Sequence, residues 1–436
     1  MRRKLSLSEI LYVGEIRTLA TTVCTVRGEV DEELLAAAFA AKVAQHRSLR
    51  SRVVLDGDEA FLELLEEAGL PRLEVRHATG PDDLTGQLNR PLPAGGPLVR
   101  ATLFRGDAGA ESTFVLGIDH VICDGHSATV LCNEIWSTYS EIQEGTFQEP
   151  DSARESDSAR ESWPVAVDDL LAPCSEDDVT AYVKDRTERT SAHPLAVLPF
   201  TADASQDGEG ALMDVCRIRL SREQTAGLVA FAKSAGVSVH GLVGAALLTA
   251  VRDGYGPGYE PGHRLSFVSP VDLRSRLAPA LGRDVLIPAA SWFLDVVDVP
   301  VGGDLVELGR RITARLRDAI DQGEPALELQ SLPRLLENPA VLTASLVMPN
   351  VGSVQGPPAP RGLDITDMRK FAISSKWVPE AGAGALVASP MTVYGRLSIE
   401  MPYSAKCFTP ARMNEVHDHV LATLLSFVER APVPTA

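Results

Sequence analysis

The hydrophobic pattern changes period most clearly between residues 113 and 139. Thr113-Phe114-Val115-Leu116-Gly117-Ile118 is β-branched and apolar, free of proline and charge, and predicts a buried strand. From Ser127 onward Ala128, Leu131, Ile135 and Tyr139 recur at spacings of three, four and four, which is one face of a helix with Ser127 as its N-cap. Between them lies Asp119-His120-Val121-Ile122-Cys123-Asp124-Gly125, so His120 and Asp124 are predicted in a strand-to-helix turn. Gly125 suits a backbone position there of positive φ or close approach. A neutral imidazole near pH 7 can accept a proton and later return it. Inside a helix the same spacing would make an ordinary same-face ion pair, but the strand before and the glycine after argue against a helix through 120–125.

Elsewhere short strands and helices alternate. Strands are predicted near Ala20–Arg27, Arg52–Leu55, Arg72–Arg76 and Leu98–Phe104, with an Ala/Leu-rich helix ending at Gln45. Residues 151–162 read Asp-Ser-Ala-Arg-Glu-Ser twice in tandem, and a flexible surface insertion is expected over 146–165. A charged helix follows from Glu176 to Thr190, and Thr201–Gly210 reads as a polar linker. The second half opens with a strand near Asp214–Leu220, then a helix capped by Ser221 and running to Ala235. Further strands fall near Leu265–Val268, Trp292–Val297, Ala344–Met348 and Met391–Met401. Alternation in both halves predicts an α/β protein of two domains, 1–185 and 186–436.

Composition narrows the class. With 45% hydrophobic and 23% charged residues over 436 positions, the chain is of globular type and long enough for about two cores. Its 41 basic and 59 acidic residues leave a net charge of −18, which disfavours nucleic acid and anionic membranes as partners. Cys24, Cys123, Cys132, Cys174, Cys216 and Cys407 form no C-x-x-C pair and no metal-ligand spacing with histidine, so reduced thiols and no metal are expected. Cys123 lies within the turn, and a neighbour of Asp124 in extended chain points to the opposite side. Met1-Arg2-Arg3-Lys4 is followed by Ser6, Ser8 and Glu9 rather than an apolar run, and the apolar stretch near Gly241–Val251 is short for a bilayer; a cytoplasmic protein without a membrane span is the expectation.

On these residues the chain resembles the acyltransferase superfamily of nonribosomal peptide synthetase condensation domains, and most of all its stand-alone members, the polyketide-associated (PapA-type) acyltransferases. The family signature is two histidines, three residues, aspartate, glycine; His120, Asp124 and Gly125 match, and Asp119 replaces the first histidine. Further segments match in order: Leu5-Ser6-Leu7-Ser8-Glu9, Gly28-Glu29-Val30-Asp31, and His46-Arg47-Ser48-Leu49-Arg50. They continue with Ser238-Val239-His240-Gly241-Leu242, Pro270-Val271-Asp272-Leu273-Arg274, Pro349-Asn350-Val351-Gly352-Ser353 and Tyr394-Gly395-Arg396-Leu397. Met348-Pro349 ahead of Asn350 departs from the serine usual there in the family.

The resemblance implies two chloramphenicol acetyltransferase-like α/β sandwich domains with mixed sheets and an active site at their interface. It implies His120 as general base in an O-acyltransferase taking an acyl group from acyl-CoA or an acyl carrier protein thioester to a hydroxyl of a small polyketide, antibiotic or lipid. It further implies that Asp124 supports the turn by pairing with an arginine, for which Arg274 is the candidate, while Gly125 leaves room for the donor arm. Asp119, Asn350 and Gly352 are expected along the donor or acceptor channel. No permanently bound cofactor is implied, only coenzyme A or a phosphopantetheine arm as co-substrate, and a monomer is expected. His126 falls outside the family pattern, His240 reads as a packed histidine, and His417 and His419 as a solvated helix face. Three rivals stand beside this reading: an amide-forming condensation enzyme, a non-catalytic module that docks a carrier protein, and a serine hydrolase. In the last, Gly125-His126-Ser127-Ala128-Thr129 would be a nucleophile elbow with Ser127 as nucleophile and a late histidine such as His417.

Overall fold

The computed structural model describes residues 2–14, 17–80, 82–107, 110–148, 162–202, 213–260, 262–374 and 383–432. The chain forms two compact units that are discontinuous in sequence. The first comprises Met1–Leu171, Arg274–Ala289 and Gln355–Trp377, and the second Ala172–Leu273, Ala290–Val354 and Val378–Ala436. A single boundary at 185/186 is therefore not how the chain divides: two later segments return to the first unit, which no composition shift announces. The tandem repeat at 151–162 lies, apart from its last residue, outside the described residues, as does most of the linker to Gly210.

The first unit is built on five strands, β1 (Thr18–Arg27), β2 (Leu73–His77), β3 (Val99–Arg105), β4 (Ser112–Asp119) and β5 (Asp364–Ser374). Their order in the sheet is β5-β1-β4-β3-β2, antiparallel except for the parallel β3–β2 pair. β1 has a partner on each side and is buried along most of its length, which suits its run of Thr21, Thr22, Val23, Thr25 and Val26. Two helices pack against each other beside this sheet: α1 (Glu32–Gln45) and α2 (Gly125–Glu144). Asp31 caps α1 by accepting from the amides of Glu33 and Leu34, while Glu32 and Glu33 complement its positive end. On α2 Ala128, Leu131, Cys132, Ile135, Trp136 and Tyr139 form one buried stripe at spacings of three and one. Trp136 lies edge-on to Phe114 of β4 at 5.7 Å, and Cys132 Sγ reaches Cys24 Sγ of β1 at 3.6 Å. The sheet and the stripe thus fix where α2 begins.

The second unit holds two mixed four-stranded sheets, one ordered Ala290–Val297, Leu265–Asp272, Leu346–Val347, Leu386–Val387 and the other Gly352–Val354, Ser389–Val393, Arg396–Ser404, Met213–Arg219. Its central helix, Val239–Tyr255, packs against Leu305–Asp321 and Pro410–Glu429. The strand expected over Met391–Met401 is a hairpin: Tyr394 and Gly395 adopt φ of 50° and 73° and turn the chain between two strands. Among the described residues no single helix is long and apolar enough to cross a membrane.

Candidate active site

β4 stops at Asp119 because its carboxylate ends the ladder: Oδ1 accepts from the Val121 amide at 3.0 Å and Oδ2 from Arg17 Nε at 2.7 Å. The Ile122 amide bonds to the Asp119 carbonyl at 3.1 Å, closing the turn that carries His120. Burial pushes the Asp119 carboxyl up, against the pull of Arg17 and the Val121 amide. Asp119 is fully buried and spent inside the turn, so it does not line a channel as expected. Its substitution for the family's first histidine leaves the turn supported by a charge pair.

The N-cap falls three residues before the expected Ser127. Asp124 is the N-cap, with extended backbone, and Ser127 is its partner three residues on in a capping box. Asp124 Oδ1 accepts from the His126 amide (3.0 Å), the Ser127 amide (2.9 Å) and Ser127 Oγ (3.1 Å). Oδ2 accepts from Arg274 Nη1 at 2.6 Å and the Ala289 amide at 3.0 Å. Both ends of the ion pair are buried, Asp124 3% and Arg274 2% exposed. Arg274 also donates through Nη2 to the carbonyls of Val285 (3.3 Å) and Ile287 (3.2 Å). Burial alone would raise the Asp124 carboxyl, yet the Arg274 charge and hydrogen bond, with the Ser127 amide, hold it below its ordinary value. Five donors saturate both oxygens. Asp124 makes no hydrogen bond to His120, so the pair is a buttress for the turn and not two members of a triad.

His120 stands free of that network. Its amide bonds to the Thr18 carbonyl at 2.8 Å, which anchors the turn to β1. The ring stacks on Tyr12 with centroids 4.3 Å apart and planes 14° from parallel. Nδ1 is buried and has no side-chain partner of normal geometry among the described residues. Burial pushes the imidazole down to about 4; Asp124 opposes this and the charge of Lys370 adds to it. At neutral pH the ring is uncharged and holds a lone pair to accept a proton.

Lys370 of β5 and Tyr12 were not anticipated. Lys370 is 5% exposed, and its Nζ and Cε occupy the space over Gly125 where a Cβ would project. Gly125 is therefore required by close approach and not by positive φ, and what approaches is a lysine of the same unit. A lysine within a strand that also carries Asp364, Asp367 and Arg369 gives no sign in the sequence of being buried, and Tyr12 belongs to no motif.

The rival chemistries lack their groups. Ser127 is fully buried, its hydroxyl engaged with the Asp124 amide and carboxylate, so it is not presented as a nucleophile. Cys123 is fully buried with a thiol pushed well up by burial. Among the described residues no cluster of His, Cys, Asp or Glu could hold a metal. Asn350 and Gly352 lie in the second unit. There Asn350 Oδ1 accepts from the Gly352 amide (2.8 Å), at a φ of +75° that favours glycine, and Nδ2 faces His240 Nδ1 at 3.2 Å. With Nδ1 accepting, His240 Nε2–H donates to Ser269 Oγ at 3.2 Å. His240 is thus a packed, neutral histidine, as its place at a helix start suggested.

Residues 18–251 match the condensation-domain family. The chain belongs to that family. Residues 209–402 match a second family description, the phthiocerol/phthiodiolone dimycocerosyl transferase C-terminus. This condensation-family protein is 25% identical over 337 residues to a phthiocerol/phthiodiolone dimycocerosyl transferase of Mycobacterium bovis (strain BCG / Pasteur 1173P2), covering 74% of each chain. Polyketide synthase associated protein 5 from Mycobacterium tuberculosis shares its fold with a TM-score of 0.70 at 21% identity, over 99% of both chains. Trichothecene 15-O-acetyltransferase from Fusarium sporotrichioides does so with a TM-score of 0.74 at 13% identity, over 98% of this chain and 95% of that one. The fold is the mixed α/β, two-lobed condensation type that the sequence motifs implied, and the protein is an acyltransferase that moves an acyl group to an alcohol.

Proposed function

We propose that this acyltransferase takes an acyl group from a thioester, on coenzyme A or on a carrier protein's phosphopantetheine arm, and esterifies a hydroxyl of a lipid or polyketide, with His120 as the general base. The observation that carries the reading is the state of His120: a neutral imidazole on a turn clamped from three directions, by Asp119–Arg17, Asp124–Arg274 and the Thr18 carbonyl. With Nδ1 buried, Nε2 is the nitrogen left for substrate. The acceptor oxygen attacks the thioester carbonyl carbon as its proton passes to Nε2. The carbonyl π pair moves to oxygen; when it returns the C–S bond breaks, and the thiolate takes the proton from the imidazolium. No acyl-enzyme is needed because a thioester is already activated, and neither Ser127 nor Cys123 is available to form one.

Relatives named as phthiocerol/phthiodiolone dimycocerosyl transferases support a lipid-type acceptor. The test incubates the full chain with acyl-CoA donors of increasing length, and with the same acyl groups on a carrier protein, against panels of alcohols and amines. Ester formation is expected, falling about 10²–10⁴-fold in His120→Ala, the contribution of a positioned base, with an unchanged circular dichroism spectrum. The rate should also fall as pH drops through about 4, where the ring becomes charged. Wild-type turnover in His120→Ala, or amides as the sole products, would refute the reading.

A further inference from the structure

Among the described residues Lys370 has no ionic or hydrogen-bonding partner for its side chain. On β5 it pairs with Thr22 of β1, and directly opposed residues of an antiparallel pair project to the same face. Two places along, Met368 opposes Cys24, whose thiol meets Cys132 of α2, so this face is the one that α2 covers. The Lys370 side chain therefore runs beneath the first turn of α2 and ends against Gly125. The amino end of a 20-residue helix carries a partial positive charge of its own. The nearest anion, Asp124, already accepts five hydrogen bonds, and no carboxylate oxygen among the described residues lies within 4.0 Å of Nζ. Nor does any described residue accept a hydrogen bond from it. An ammonium on a side chain only 5% exposed, beside a like partial charge and with no carboxylate against it, is costly to keep charged. The reaction proposed at His120 develops a negative charge on the thioester oxygen, and the Lys370 ammonium is a cation held close to that turn.

We propose that the Lys370 ammonium, seconded by the amino end of α2, donates a hydrogen bond to the thioester carbonyl oxygen and stabilises the oxyanion of the tetrahedral intermediate. This rests on the reading of His120 as the base. As the acceptor oxygen–carbon bond forms, the carbonyl π pair becomes a full charge on oxygen, facing Nζ–H. Lys370 transfers no proton: the pair returns to the carbonyl as the C–S bond breaks, and the thiolate is protonated from His120. A donor aimed in advance at developing charge, in a site of low dielectric, is the type of contact that acts on the transition state more than on the bound substrate. Gly125 follows as the residue that lets the ammonium reach the carbonyl.

The charged and titratable groups around Nζ are His120, Cys123 and Asp124 on the turn, Arg274 beyond Asp124, and Tyr12 stacked on His120. Burial pushes Lys370 down to about 8, partly offset by Asp124 and Cys123. Only the ammonium can serve the oxyanion, so the rate should fall as pH rises through about 8.

The experiment compares wild type, Lys370→Met, Lys370→Arg and His120→Ala on the full chain, using an acyl-CoA and an alcohol that wild type accepts, from pH 5 to 10, with thermal melts alongside. Lys370→Met should lose about 10²–10³-fold in kcat, as removal of one oxyanion donor does, with donor KM little changed and melting temperature equal or higher, since an unpaired buried charge is gone. Lys370→Arg should keep part of the rate and lose the alkaline limb near pH 8, because a guanidinium stays charged. If Lys370→Met keeps wild-type kcat while His120→Ala is inactive, the oxyanion role is wrong and the base stands. If donor KM rises and kcat holds, Lys370 grips a ground-state anion and the proposal is likewise overturned. If His120→Ala turns over like wild type, both readings fall. Should Lys370→Met fail to fold, Lys370→Gln and Lys370→Arg replace it: wild-type kcat in a folded Lys370→Gln overturns the proposal, and a loss there that Lys370→Arg partly restores supports it.

Discussion

Cutting Arg274 back to methionine tests the energetics of the turn most directly. The guanidinium gives Asp124 Oδ2 a 2.6 Å charge-assisted bond, and both groups are nearly inaccessible. Removing the arginine leaves a carboxylate with four donors and no counter-charge, plus two unserved carbonyls at Val285 and Ile287. Breaking one side of a buried pair costs about 3–5 kcal/mol because the other side is stranded. For a unit of this size 1 kcal/mol moves the melting temperature by roughly 2–4 °C, so a drop of about 6–20 °C is expected. Asp124→Asn keeps an acceptor for the His126 and Ser127 amides while removing the charge. The Asp124→Asn, Arg274→Met double variant should therefore be destabilised by less than the sum of the two single changes, and the cycle isolates the coupling.

The pH dependence has a fixed sign. In wild type the Asp124 carboxyl is held below its unfolded value near 3.8, so the stability it contributes is complete above that pH and is lost as pH falls through the folded value. In Arg274→Met the holding charge is gone and burial dominates, so the carboxyl rises and its protonation relieves the strain. The deficit of the variant relative to wild type should be largest near pH 7 and shrink through the carboxylate range. Urea unfolding followed by circular dichroism at pH 4 to 8 measures this. A variant within 0.5 kcal/mol of wild type at pH 7, or a deficit independent of pH, would show that the pair is not the buttress its geometry describes.

Two smaller changes separate roles within the same turn. Ser127→Ala removes the hydroxyl that serves the Asp124 amide and carboxylate, and should cost about 0.5–1.5 kcal/mol in thermal melts while leaving turnover within a few-fold and fluorophosphonate labelling absent; loss of turnover with labelling of wild-type Ser127 would revive the hydrolase reading. Gly125→Ala places a methyl group where Nζ and Cε of Lys370 now sit, and the flexible lysine end must move. Its backbone φ is not one that alanine avoids, so the melting temperature should stay within a few degrees while kcat falls at least tenfold; an unchanged kcat would mean that the position of Nζ does not matter.

How much of this was legible in the sequence depended on the range of the interaction. The β4–α2 junction is local: a period of two gives way to a helical stripe, and the turn between them is forced. Its exact start was misplaced because Asp124 and Ser127 are both capping residues, and in a capping box they are reciprocal partners, so composition alone cannot say which is the N-cap. The strand over Met391–Met401 was visible as apolar residues, but its reversal at Tyr394 and Gly395 required reading positive φ at a tyrosine. β5 was missed altogether. Its four charged residues hide an eleven-residue strand that is held by pairing with β1, some 340 positions away, rather than by its own propensity.

The motif and its support therefore come from different levels of the sequence. His120 and Asp124 are four residues apart, but what each does is set by groups that no spacing rule connects to them: Arg17 lies 102 positions from Asp119, and Arg274 lies 150 positions from Asp124. The aspartate that replaces the family's first histidine illustrates the consequence. A carboxylate in a fully buried turn is tolerable only with a cation and a donor at hand, and Arg17 Nε at 2.7 Å and the Val121 amide at 3.0 Å supply them. The turn thus carries a charge pair at this position, and His120 stays where the strand delivers it. Judged by the motif, the position departs from the family; judged by the hydrogen bonds, it still fixes the backbone beneath His120, with Arg17 as the residue that makes the departure affordable.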